Sequence, residues 1–203
     1  MSVYSELLIC ASLLIAGFQD VRERSVWDLV WVPAILGVAY SVIVEFPSIE
    51  FFLIKVGFVG AVALAFAFFG AIGQADAIAL VFVAADFNPA TPIFPLVGTA
   101  IAAAAAIGYQ YVVGNARGDR TIPVEKFLRE QRWIPKAIIT DGVKTEVSSD
   151  VNVARDEVVA KSKQESMVEV TYGVPTVAYL ALGYAAYVVY LIVFATGTFT
   201  ALP

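Results

Sequence analysis

Asp20 and Asp76 are the residues of this chain best placed to do chemistry. Each lies at the edge of an apolar stretch, where a carboxylate has little water around it, and acids in such positions are costly to keep. Asp76 is followed by nine apolar residues, Ala77–Ala85, and preceded by Gly70-Ala71-Ile72-Gly73-Gln74-Ala75. Glycines and small neighbours let a backbone bend and let another chain come close. A poorly solvated carboxylate in such a notch favours sharing a proton with a second acid. Two acids that share a proton form a hydrolytic pair: one deprotonates a water, the other protonates or hydrogen-bonds a scissile carbonyl. The residues alone leave a second reading open, in which Asp20 caps the end of a first helix and Asp76 merely starts a fourth.

The remaining acids outside the polar part of the chain have plainer roles. Glu45 and Glu50 flank Pro47 in a short loop, Asp86 precedes the turn signal Phe87-Asn88-Pro89, and Glu23 lies between two arginines. Asp28 suits the first turn of a second helix, where the helix dipole favours negative charge. Glu6 lies near the mouth of the first helix. Other catalytic solutions are excluded by composition. The chain has no histidine, which removes histidine-based triads and the HExxH zinc site, and its single cysteine, Cys10, removes internal disulfides and cysteine-rich metal sites. Neither a metal nor another cofactor is expected. A net charge of −5 gives no support for nucleic-acid binding.

The elements that must hold the aspartates are set by hydropathy. Of 203 residues, 60% are hydrophobic and 15% charged, against about 25% charged in soluble domains, and the mean hydropathy is +0.79. A crossing helix needs roughly 20 mostly apolar residues. Apolar runs over 3–19, 26–44, 51–70, 94–113 and 172–195 meet that need, and 77–85 does so only if 71–75 extend it. The pattern predicts an all-α polytopic membrane protein of six transmembrane helices. Residues 1–113 form the membrane domain with helices one to five, 114–171 a water-facing insert, and 172–203 the last helix and tail.

The insert has its own composition: ten Lys/Arg and ten Asp/Glu. Ala137-Ile138-Ile139-Thr140 before Asp141-Gly142 is a hairpin signal, and Met167–Thr171 alternates as a half-buried strand does. The insert therefore reads as small and β-rich, although 144–165 fits a mobile polar loop equally well. With six spans and an outside N-terminus, Arg22, Arg24 and the ten basic residues of 114–171 all fall on the cytoplasmic side, leaving Lys55 outside.

Two stretches resemble a known family. Gly73-Gln74-Ala75-Asp76-Ala77 resembles the GxGD-type motif of membrane aspartic proteases, in the form found among archaeal prepilin and preflagellin peptidases. Asp20-Val21-Arg22-Glu23-Arg24-Ser25-Val26-Trp27-Asp28 is similar to the family's other signature, an aspartate ending the first helix followed by basic residues and a Val-containing turn. Thr171-Tyr172-Gly173-Val174-Pro175 before the last helix also fits. The resemblance implies that Asp20 and Asp76 are the catalytic pair, with Gly73 bending the backbone and Gly73 and Ala75 supporting the motif. It implies an endopeptidase of the cell membrane that removes short basic leaders from archaellin and type IV pilin-like precursors at the cytoplasmic face. Many relatives carry a lysine two residues beyond the second aspartate, where this chain has Ile78, which leaves a nearby cation without support. No cysteine-paired segment is present, so methyltransferase activity is not expected. Two other classes compete: an ion-coupled transporter, since intramembrane acids also mark ion paths, and a non-catalytic scaffold whose polar insert binds a partner.

Overall fold

A computed structural model describes residues 3–45, 48–69, 72–86, 94–112, 119–130, 133–148, 151–161 and 166–195. The chain divides into two compact units: residues 1–21, 25–106 and 175–203 form the first, and 22–24 with 107–174 form the second.

The first unit is helical. Helix α1 spans Tyr4–Glu23. A 3₁₀ turn, Asp28–Trp31, leads into α2, Val32–Tyr40, which continues through a π turn to Glu45. Helices α3, Ile49–Phe68, and α4, Gln74–Ala85, follow, then α5, Phe94–Val112. The last helix of the chain, α8, covers Thr176–Tyr190 and runs into a π turn ending at Ala195. One apolar core joins Ile9, Leu13 and Ala16 of α1 to Ala79 and Val83 of α4 and to Val177, Leu180, Ala181 and Tyr184 of α8.

Small residues let these helices meet. A Cβ on Gly17 would come within 2.8 Å of the Ala178 Cα, one on Gly37 within 2.8 Å of the Ser5 carbonyl, and one on Gly183 within 2.8 Å of the Ala102 Cβ. Close backbone approach at glycine is how apolar helices gain contact where lipid removes the hydrophobic drive.

The expected all-α fold of six transmembrane helices is corrected here. Among the described residues, three helices are long and apolar enough to cross a membrane: Tyr4–Glu23, Ile49–Phe68 and Thr176–Val193. Asp28–Val44, Gln74–Ala85 and Pro95–Tyr109 are apolar but shorter. Helix α4, with 12 residues, is about 18 Å long, well under a hydrocarbon core of about 30 Å. Apolar runs alone do not separate a crossing helix from a shorter buried one, and length decides.

The second unit ends the all-α description as well. Strands β1 (Arg120–Pro123), β2 (Trp133–Thr140), β3 (Val143–Glu146) and β4 (Met167–Tyr172) form one sheet in the order β1-β4-β2-β3, every pair antiparallel. The turn between β2 and β3 places Asp141 and Gly142 at φ 53° and 78°, the left-handed pair that a two-residue hairpin demands. Helices α6 (Val124–Arg129) and α7 (Val151–Lys161) complete the unit. Phe127 and Val158 from these helices pack on Val168 and Val170 of the sheet. Much of 144–165 is thus ordered, as β3 and α7, rather than a loop. Arg155 lies over the Phe127 ring, 4.9 Å from its centroid, and donates to the Trp133 carbonyl at 3.2 Å. Burial there pushes the Arg155 pKa down.

Candidate active site

Asp20 sits near the C-terminal end of α1, where that helix's own dipole is unfavourable to a carboxylate. Its Oδ2 accepts the backbone N–H of Val177 at 3.0 Å, in the first turn of α8. The first N–H groups of a helix have no partner within it. Pro175, at the N-cap of α8, makes no side-chain capping bond, and Asp20 supplies the missing acceptor from a distant segment. Next to it, Gln19 accepts the Trp27 N–H at 3.0 Å, which holds the turn between α1 and α2.

Asp76 is the third residue of α4, and its Oδ2 accepts the Gly73 N–H at 2.9 Å, the reciprocal half of a capping box. Gly73 has φ −73° and ψ 160°, ordinary extended backbone that needs no glycine. What glycine supplies here is room: a Cβ would sit 3.3 Å from Asp76 Oδ2. Gly73 thus provides clearance for the carboxylate. Ala75 packs half-buried against the core of the unit.

Helix directions bring the two aspartates to one end. Along α1 and α2, Ser12 Oγ donates to the Val30 carbonyl, Gly37 meets Ser5, and the Tyr4 and Tyr40 rings touch edge to face, so the two helices are antiparallel. Along α2 and α4, Trp31 stacks on Phe82, while Val38 and Val42 pack against the pair Phe52 and Ala85, which points to a parallel course. The start of α4 therefore lies at the same end as the finish of α1. At 1.5 Å per residue, Asp20 is about 12 Å beyond Ser12, and Asp76 about 9 Å beyond Phe82. Both lie toward that end.

Facing agrees with this placement. On α1, Asp20 continues the buried series Ile9, Leu13, Ala16, and on α4, Asp76 precedes Ala79 and Val83 by three and seven residues, the spacing of one helix face. Those residues share one core, so each aspartate is the half-buried polar end of a stripe that points into it. The opposite side of α4 behaves differently. Gln74, Ile78 and Val81 line an open apolar groove of about 870 Å³ with Leu64, Phe68 and Phe69. At 100° per residue, Ile78 points well away from Asp76, so a cation at position 78 would face the groove rather than the carboxylate.

No family model, no curated protein and no solved structure matches this chain. Two carboxylates at one end of a helical core, Asp76 on the first turn of α4 and Asp20 bonded to the first turn of α8, can bind and polarise a water. Among the described residues no three of His, Cys, Asp and Glu gather as a metal ion would need.

The acids given plain roles in the sequence are not alike. Glu6 and Asp86 are 1% and 2% exposed. Glu6 accepts the Ser5 hydroxyl at 2.8 Å, and Asp86 accepts the Tyr184 hydroxyl at 2.9 Å. Lys55 donates to the Asp86 backbone carbonyl. Sequence reasoning also missed Gly17 and Val177 as supports of Asp20. Pro175 just before an apolar run was the available signal, since a proline marks a helix start.

Proposed function

We propose that this protein is a membrane aspartic endopeptidase that removes the short basic leader from archaellin and type IV pilin-like precursors. The observation that carries the reading is the pair of buried stripes, one on α1 and one on α4, that end in Asp20 and Asp76 at one end of a common core. The likeness of Gly73–Ala77 and Asp20–Asp28 to the two signatures of archaeal preflagellin and prepilin peptidases supports the same assignment. In the reaction, a water held between the carboxylates loses a proton to one of them and attacks the scissile carbonyl. The other donates its proton to the carbonyl oxygen; the carboxyl that took the water's proton passes it to the leaving nitrogen, the C–N bond breaks, and the tetrahedral species collapses to the leader's carboxyl group, which returns a proton to the pair. No covalent enzyme intermediate forms.

Arg22 and Arg24 follow Asp20 directly, and basic residues favour the cytoplasmic side. The N-terminus is then outside, and the catalytic end faces the cytoplasm. A precursor's apolar helix stays in lipid beside the enzyme while its polar leader meets the carboxylates at the water boundary. Incubating the purified protein with such a precursor tests the reading: a product shortened by its leader is expected, and none from Asp20→Asn or Asp76→Asn. Full cleavage by either variant sinks it.

One observation favours the transporter reading, namely the burial of Glu6 and Asp86 far from the proposed site. Ion flux in liposomes that is lost on Asp76→Asn would select it.

A further inference from the structure

The core face of α4 is built from small side chains. Ala77, Ala79, Ala84 and Ala85 are buried with Val83, and alanines offer little to interlock with a neighbour. Beside the buried Val83 and the Phe82–Trp31 stack, a buried directional bond fixes the axial position of this helix.

That bond lies at the far end. Asp86 closes α4 ten residues after Asp76, about 15 Å along the axis. Its carboxylate is 2% exposed and accepts the hydroxyl of Tyr184, which is fully buried. Residues 183 and 184 are a hub of α8: Gly183 packs on Thr99 and Ala102 of α5, and Tyr184 reaches α4 while lying within electrostatic reach of Glu6 on α1. Lys55 of α3 ties down the Asp86 carbonyl. The same helix α8 holds Asp20 through the Val177 N–H. It is thus the common reference for both aspartates.

We infer that the Asp86–Tyr184 hydrogen bond is a register lock: it sets α4 against α8, and so sets Asp76 against Asp20. Asp86 and Tyr184 are positioning residues and touch no substrate. The inference rests on the two-aspartate reading for its catalytic consequence, though not for the register itself.

The test uses the full chain in lipid nanodiscs with spin labels at Val21→Cys and Gln74→Cys, beside each aspartate, in a Cys10→Ala background. The parent is expected to give one narrow distance distribution. Tyr184→Phe, which keeps the ring and loses only the hydroxyl, is expected to broaden or shift it, whereas Asp86→Asn, which keeps an acceptor for Tyr184, leaves it narrow. Cleavage follows the same order: kcat falls about tenfold in Tyr184→Phe, the size of one net hydrogen bond, with KM unchanged, and stays near the parent's in Asp86→Asn. If Tyr184→Phe does not yield monodisperse protein, Asp86→Ala takes its place. An unchanged distribution in the variant that loses the bond, or equal broadening in Asp86→Asn, overturns the lock. A parent that holds one narrow distance yet cleaves nothing sinks the protease reading and leaves the lock standing.

Discussion

The carboxylate of Asp20 accepts the backbone N–H of Val177 at 3.0 Å, across 157 positions of the chain. The bond satisfies a donor that the start of α8 leaves open, and it gives a carboxylate at the wrong end of its own helix a favourable dipole to face. One side chain therefore serves the fold and the proposed chemistry together. Substitutions separate the two roles.

Asp20→Asn keeps an oxygen for the Val177 N–H and loses the charge. It is expected to fold as the parent does while leader removal falls by roughly 10²–10⁴-fold, the usual worth of a positioned acid or base. Asp20→Ala loses the acceptor too, and about 1 kcal/mol of stability with it, as for other lost helix caps. Thermal unfolding run beside the cleavage assay distinguishes the variants.

Gly17 lies one turn before Asp20, and a Cβ there would strike the Ala178 backbone at 2.8 Å. Gly17→Ala should destabilise the protein by about 1–3 kcal/mol, the range for overpacking. A Cβ on Gly57, by contrast, meets nothing within 4 Å, and Gly57→Ala should be neutral or gain about 0.5–1 kcal/mol from the entropy of the helix. Equal effects from the two substitutions would remove the close α1–α8 approach as the explanation.

Gly73→Ala separates room from bending. Its backbone angles suit any residue, so folding should be intact, while the added Cβ displaces the Asp76 carboxylate by a few tenths of an ångström. Activity is expected to drop roughly tenfold, since a misplacement of about 1 Å can cost 10². Loss of folding instead would mean that the glycine serves the chain path after all.

In the second unit, Phe127 is fully buried and lies under Arg155. Phe127→Ala should cost that unit about 3–5 kcal/mol. Hydrogen exchange on the full chain reads this directly: the amides of β2 and β4 lose protection, whereas those of α1 and α8 keep theirs. Uniform loss of protection would show that the two units do not unfold separately.

Local chemistry was legible from the residues themselves. Long apolar blocks require helices suited to lipid, because a backbone in such surroundings must satisfy its own hydrogen bonds. Asp141-Gly142 between alternating runs forms a hairpin turn because both residues tolerate positive φ. The Gly73–Asp76 capping pair is also local, spanning three residues. Tertiary structure decided the rest. Asp86 reads as a loop acid beside a turn signal and is instead buried, because its partner Tyr184 stands 98 positions away. Where α2, α4 and α5 stop within their apolar runs was likewise not recorded, so the number of helices able to cross was overcounted. How Asp20 and Asp76 lie relative to one another depends on the directions of α1, α2 and α4, which contacts such as Trp31 on Phe82 set. Sequence spacing encodes neighbours along one helix. Which helix lies beside which is settled by packing among residues far apart in the chain, and no local pattern records it.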